Sequence, residues 1–398
     1  MTINQVDHII KFRDSVPILQ QNQDLVFLNS SLTPPLNTIV SDSLTNYINK
    51  GLYQIHPKAE FVNDCEETRK ELGRFLNTQS ENIAFTRDAS EGLNLFQRST
   101  KWERGDNVVI IDGEHPSLGF GWLGLEKDGL EIRIIQTDES QVKPFTADDF
   151  KPFIDSNTKA IGISSVMFHS GLKNDIKSIV KEFKPKGIHI LVDATQEVGF
   201  GKIDVQDLAI SAMAFSVHKG LNIPNGLGVL YIEPETIPLL KSNPPVLCSG
   251  NISNLDSSLK VNKDFKVFPN AQRYEHSNKP MMQIIALGSY LRFLNSIGME
   301  NVETYLTNLS SSLRSKLSSI GLKVIGPNDS KSRSSHSNVL PLIDPKWMDF
   351  FKSKNVYVSQ YRCGVRISLG IYNNESDVDE FVKIVKEGLD SGLKVNSV

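Results

Sequence analysis

Six short β-rich runs constrain this chain most: Asn107 to Asp112, Glu131 to Thr137, Ala160 to Val166, His189 to Asp193, Ala209 to Val217 and Gly228 to Ile232. Helical patterns lie between several of them, as at Asp175 to Phe183. Such alternation specifies an α/β fold built on a mostly parallel sheet with helices on both faces. Beyond about Pro269 the pattern changes. Long helical stretches at Met281 to Ile297 and Val302 to Ile320 precede short strands near Lys323 to Ile325, Val339 to Leu342, Val356 to Ser359 and Val365 to Leu369. A closing helix runs from Ser376 to about Leu389, so a smaller α+β domain is expected there. At 398 residues, 39% of them hydrophobic, the chain can bury a large core and divide into two or three domains.

The run Ile190-Leu191-Val192-Asp193 places a carboxylate at the C-terminal tip of a buried strand, where open α/β sheets bind their ligands. The run Ala209 to Val217 delivers Lys219 just past its own end, in Ser216-Val217-His218-Lys219-Gly220. A lysine in that position can form an imine with an aldehyde cofactor, and a carboxylate opposite a pyridine nitrogen keeps the ring protonated and electron-withdrawing. The pairing therefore points to pyridoxal phosphate. Alternation along an extended segment puts Ser216 and His218 on one face and Val217 on the other. In Phe85-Thr86-Arg87-Asp88-Ala89-Ser90-Glu91-Gly92, Ser90 stands at a helix start. The backbone N–H groups of Ala89, Ser90 and Glu91 there face the positive end of the helix dipole, a setting for an anion.

These residues resemble the class V aminotransferase group of fold-type I pyridoxal phosphate enzymes, over about Phe27 to Phe381. The group includes cysteine desulfurases, isopenicillin epimerase-like proteins and kynureninases. The resemblance implies a large cofactor domain over residues 21–270 and a discontinuous small domain of residues 1–20 and 271–398. It implies that Lys219 carries the cofactor, Asp193 pairs with its ring nitrogen, Gln196 sits near its phenolic oxygen, and His115 stacks on the ring. Ala89, Ser90, Ser216 and His218 would hold the phosphate. Ser277 would reach the phosphate of a neighbouring subunit, which requires a homodimer. Arg366, in Val365-Arg366-Ile367-Ser368-Leu369, would clamp a substrate carboxylate with Asn29 assisting.

One departure stands out. After the strand, desulfurases carry a Ser-Asn pair, whereas this chain reads Val166-Met167-Phe168-His169-Ser170-Gly171, leaving Phe168 or His169 where the asparagine is expected. Cys363 precedes Arg366 by three residues, an odd offset that points the two side chains to opposite faces of an extended strand. Cys65, Cys248 and Cys363 are dispersed, which fits a reducing cytoplasm and neither a disulfide framework nor a metal site. A net charge of −3 without dense basic runs argues against nucleic acid, and no apolar stretch suggests a membrane span or signal peptide. Ser330 to Ser337 reads as a polar loop. The expected function is a pyridoxal phosphate enzyme acting at the α-carbon of an amino acid or related amine, lyase-like, desulfurase-like or transaminating. An epimerase-like enzyme and a non-catalytic, cofactor-binding regulatory relative are the alternatives.

Overall fold

The computed structural model describes residues 3–138 and 142–395. A short strand, β1 (Val26–Phe27), comes first. The principal sheet is formed by β2 (Ile83–Thr86), β3 (Asn107–Ile111), β4 (Glu131–Ile135), β5 (Thr158–Ser164), β6 (His189–Asp193), β7 (Ala212–Ser216) and β8 (Gly228–Ile232). Their order is β2-β8-β7-β6-β5-β3-β4, and only β8 runs antiparallel to its neighbours. Successive side chains along a strand leave opposite faces. In β6, accordingly, Ile190 and Val192 join one apolar cluster and Leu191 the other. Both faces are thus buried, as a parallel sheet requires.

β3 is flanked by β4 on one side and β5 on the other, so the chain reverses direction across the sheet at this point. Crevices at the carboxyl ends of strands beside such reversals are where open sheets hold ligands. Ser164, Asp193 and Ala214 stand in register across β5, β6 and β7, which levels those ends.

A second sheet joins β9 (Ser337–Leu340), β11 (Ser359–Tyr361) and β12 (Gly364–Ser368) in the order β11-β12-β9, all antiparallel, while β10 (Val356–Tyr357) pairs in parallel with β1. Asn29 bridges to Ser368. The N-terminal segment therefore joins the C-terminal strands as far as Asn29, past the expected boundary at residue 20.

The helix Met281–Ile297 has its expected bounds, and Met299–Ser319 begins three residues early. The strand expected at Lys323 to Ile325 does not form; Ile325 donates one bond to the Val339 carbonyl, and Pro327 has no N–H to continue a ladder. Ser330 to His336 is irregular as expected, yet Arg333, Ser334, Ser335 and His336 are buried. Part of their polar surface is satisfied internally: Arg333 donates to the carbonyls of Ile325, Gly326 and Pro327, and the Ser335 hydroxyl to that of Phe200.

Candidate active site

A cavity of about 620 Å³ opens at the carboxyl ends of β5, β6 and β7. Ala89, Ser90, His115, Asp193, Gln196, Ser216, His218 and Lys219, all anticipated from sequence, line it. Asp193 ends β6, and one carboxylate oxygen accepts the Thr195 N–H at 2.9 Å, which fixes its orientation. Lys219 is carried by the turn after β7. Gly220 must be glycine, because a Cβ there would lie 2.3 Å from the Val198 carbonyl oxygen. Burial pushes the Lys219 amine down to about 8; Asp193 opposes the shift and Arg366 adds to it. A buried amine that is readily neutral suits a carbonyl nucleophile.

His115 caps the helix Pro116–Leu123, its Nδ1 accepting the Ser117 N–H at 3.2 Å. Burial lowers its pKa, against the pull of Asp193. Beneath it Glu114 is buried, accepting from both the N–H and the hydroxyl of Ser164; burial raises its carboxyl to about 8. Ser216 and His218 both face the cavity while Val217 packs in the core, as alternation requires. Burial, reinforced by the charge of Lys219, pushes His218 down to about 4.

The helix Ala89–Ser99 points its N-terminus at the cavity, with one correction to the expected cradle. The Ala89 N–H donates to the Ser216 hydroxyl at 2.8 Å and the Glu91 N–H to the Asp88 carboxylate at 2.8 Å. Neither is open to an anion in this arrangement, since the Ser216 hydroxyl takes the first and the Asp88 cap takes the second. The Ser90 hydroxyl meets that of Ser117 at 2.8 Å.

Arg366 lies behind the cavity wall, fully buried. Its Nη1 donates to the Phe168 carbonyl at 2.6 Å, and its guanidinium carbon stands 4.5 Å from the centre of the Tyr361 ring. Nε and Nη2 have no hydrogen-bond partner among the described residues. Burial pushes its pKa down to about 10, so it stays charged at neutral pH. A buried cation with two unused donors on one planar fork is primed for a carboxylate. Asn29 is not on the cavity wall; its side-chain oxygen accepts from the Ser359 hydroxyl at 2.8 Å.

Phe168 and His169 separate. Phe168 faces the cavity, edge-on to His115 at 5.3 Å and to Tyr361 at 5.5 Å between ring centres. His169 turns into another recess beside Arg362, with Nε2 3.2 Å from the guanidinium, and burial pushes it down to about 4. Cys363 lines that same recess. Ser277 lies outside its own chain's cavity, bonded to the Ser249 hydroxyl at 2.6 Å and the Gly250 N–H at 3.0 Å, in a recess that Arg87 shares with the cavity. Sequence reasoning missed Thr195, Ser164 and Tyr361 on the wall. Thr195 and Ser164 had a signal, since both flank strand tips already assigned; Tyr361 had none, because a short turn alone places it.

Residues 26–381 match the family model described as Aminotransferase class-V. The chain belongs to the class-V aminotransferase family. An uncharacterized aminotransferase of Schizosaccharomyces pombe is 47% identical over 398 residues, the full length of both chains. A probable cysteine desulfurase of Methanothermobacter thermautotrophicus is 27% identical over 79% of this chain and 77% of its own. Among solved structures, the apo cysteine desulfurase of Thermococcus onnurineus NA1 matches with a TM-score of 0.83 at 23% identity, covering 96% of this chain and 98% of that one. The cystine C-S lyase C-DES, solved with its product cysteine persulfide, matches with a TM-score of 0.83 at 16% identity, covering 94% and 99%. At such identities these two structures establish the fold, that of the fold-type I enzymes.

Members of this family are pyridoxal phosphate enzymes, and the cavity fits that group. Its volume suits a cofactor plus a small substrate. One wall carries a buried lysine of lowered pKa, another a strand-tip carboxylate, and hydroxyls gather at a helix N-terminus.

Proposed function

We propose that this class-V aminotransferase family enzyme is a lyase acting on an amino acid with a leaving group, most fittingly sulfur, at its β-carbon. In this reading it works by elimination and uses no cysteine of its own as sulfur acceptor. The observation that carries it is the position of Cys363. It occupies the two-residue turn of the β11–β12 hairpin, in which Tyr361 pairs with Gly364, and it lines a recess distinct from the cavity. A mobile loop has no room in such a turn: Gly364 has φ +134°, and a Cβ there would lie 2.0 Å from the Leu340 carbonyl. Cys65 is buried, with its thiol pushed up to about 12, and Cys248 lies in the Ser277 recess. Among the described residues no cysteine lines the cavity.

In this reading Lys219 accepts the α-proton, the β-substituent leaves with its bonding electron pair, and Arg366 holds the carboxylate. Bound there, pyridoxal phosphate supplies an aldehyde for the substrate amine and an electron-withdrawing ring for the charge left at the α-carbon. Asp193 would hold the proton on the ring nitrogen, Gln196 would lie toward the phenolic oxygen, and His115 would pack on the ring. Ala89, Ser90, Ser216 and His218 would hold the phosphate, with the Ser216 hydroxyl exchanging its bond with Ala89 for one to the ligand. Asn29 supports Arg366 indirectly, through the strands that carry both. A homodimer is part of the same proposal: Leu32 on the cavity rim and Leu36, Ile48 and Leu52 nearby in sequence are exposed, and Ser277 stands outside its own cavity. Cytoplasmic placement rests on the dispersed cysteines; among the described residues no helix is long and apolar enough to cross a membrane.

The test is product analysis with cysteine and cystine. Elimination yields pyruvate and ammonia with a sulfur product, at rates unchanged within twofold in Cys363→Ser. Formation of alanine, with a persulfide trapped on Cys363 and activity lost in the variant, would overturn it.

A further inference from the structure

Ser31 lines the cavity, and its hydroxyl oxygen lies 3.0 Å from Nε2 of His336, in the buried polar segment that follows Arg333. Both residues are held in place. The Ser31 N–H donates to the Ser368 hydroxyl at 2.9 Å, and its carbonyl accepts from the side chain of Gln196 at 3.3 Å. The His336 ring stacks on Phe200, with centres 3.7 Å apart and planes within 4°. His336 is fully buried, and its Nδ1 has no partner among the described residues.

That unpartnered nitrogen decides the direction of the Ser31 bond. Burial, helped by the charges of Arg366 and Lys219, holds His336 far below its ordinary pKa, so one ring nitrogen carries the proton. Placed on Nδ1, the proton would make an orphaned buried N–H, which is rarer in folded proteins than an under-used acceptor. Placed on Nε2, it donates to the Ser31 oxygen. The serine hydroxyl then has to donate elsewhere, and no other protein group bonds it among the described residues. What it faces is the cavity.

We propose that Ser31 is a substrate-positioning residue whose hydroxyl, aimed by the Nε2–H form of His336, donates a hydrogen bond to the substrate carboxylate beside Arg366. The inference rests on the reading of Arg366 as the carboxylate clamp. Ser368, which holds the Ser31 backbone, lies two residues beyond Arg366 on β12, so both side chains leave one face of that strand. Charged Arg366 alone would leave part of the acceptor capacity of a carboxylate unused. His336 touches no substrate in this scheme and acts through Ser31.

The test uses holoenzyme, L-alanine and L-alaninamide, with binding followed by the cofactor absorbance. Ser31→Ala is expected to weaken L-alanine on the order of tenfold and L-alaninamide less than twofold. Ser31→Thr should restore binding, and His336→Phe, which keeps the stack on Phe200, should copy the loss. Equal weakening of both ligands in Ser31→Ala would overturn the proposal. Independently of any ligand, ¹⁵N-histidine spectra, assigned by the signal lost in His336→Phe, should show the proton on Nε2; a proton on Nδ1 would also overturn it. Arg366→Lys separates the two readings. If it loses the preference for carboxylate while Ser31→Ala keeps it, only the serine role falls. If neither variant changes the preference, the clamp falls too.

Discussion

In the proposed reaction, Asp193 and Lys219 divide the work of the site between a fixed charge and a movable proton. Asp193→Asn keeps the strand tip but removes the charge that would hold a proton on the cofactor ring. Each pKa unit lost there corresponds to about 1.4 kcal/mol. Cofactor should still bind, with turnover down by orders of magnitude; near-normal turnover would place the ring elsewhere. Lys219 makes a second prediction through its lowered pKa. Only the neutral amine attacks an aldehyde, and the neutral fraction grows as pH rises toward the pKa. Capture of pyridoxal phosphate by apoprotein should therefore accelerate about tenfold per pH unit below 8 and level off above it. A rate still climbing at pH 10 would mean an ordinary, solvated lysine. Both residues were legible because each follows an apolar run that defines a strand. Ser31 and His336 were not legible as a pair, since they are far apart in sequence and meet only through β1, β12 and the buried segment before β9.

At the level of elements, what was readable was periodic. Helices and buried strands appeared within a few residues of their expected bounds, because their apolar spacing is intrinsic to the sequence. Turns decided the rest. The strand expected from Ala209 begins instead at Ala212, since Ala209 itself has φ +52° and ends the short helix Val205–Leu208. The β11–β12 hairpin was hidden, and with it the placement of Tyr361 over Arg366 and of Cys363 away from the cavity. Gly220 tests how an element's packing governs the chemistry. In Gly220→Ala the new Cβ collides with backbone at Val198 and Gly199, so the turn carrying Lys219 must shift. We expect loss of stability on the order of 1–3 kcal/mol, read as a lower thermal midpoint, and at least tenfold weaker cofactor retention. Unchanged retention would show that the lysine turn is not set by this contact.

Across the whole molecule, three distant stretches build one cavity: the tips of the principal sheet, the N-terminal segment through Ser31, and the hairpin through Tyr361. The α/β class could be read from the order of elements, as could the change to long helices and short strands beyond about Pro269. The extent of the N-terminal pairing could not, because β1 is two residues long and gains its partner only on folding. The exposed apolar residues of the helix Thr38–Tyr53 support the proposed homodimer, and Ile48→Glu with Leu52→Glu should yield monomers by sedimentation with reduced cofactor content; an unchanged dimer would put the interface elsewhere. The central claim is that these three stretches converge on a single covalent site. Among the described residues only one lysine, Lys219, lines the cavity. Holoenzyme reduced with borohydride and mapped by mass spectrometry should therefore carry one pyridoxyl group per chain, on Lys219, absent in Lys219→Ala; a stoichiometric adduct on any other lysine would contradict the account.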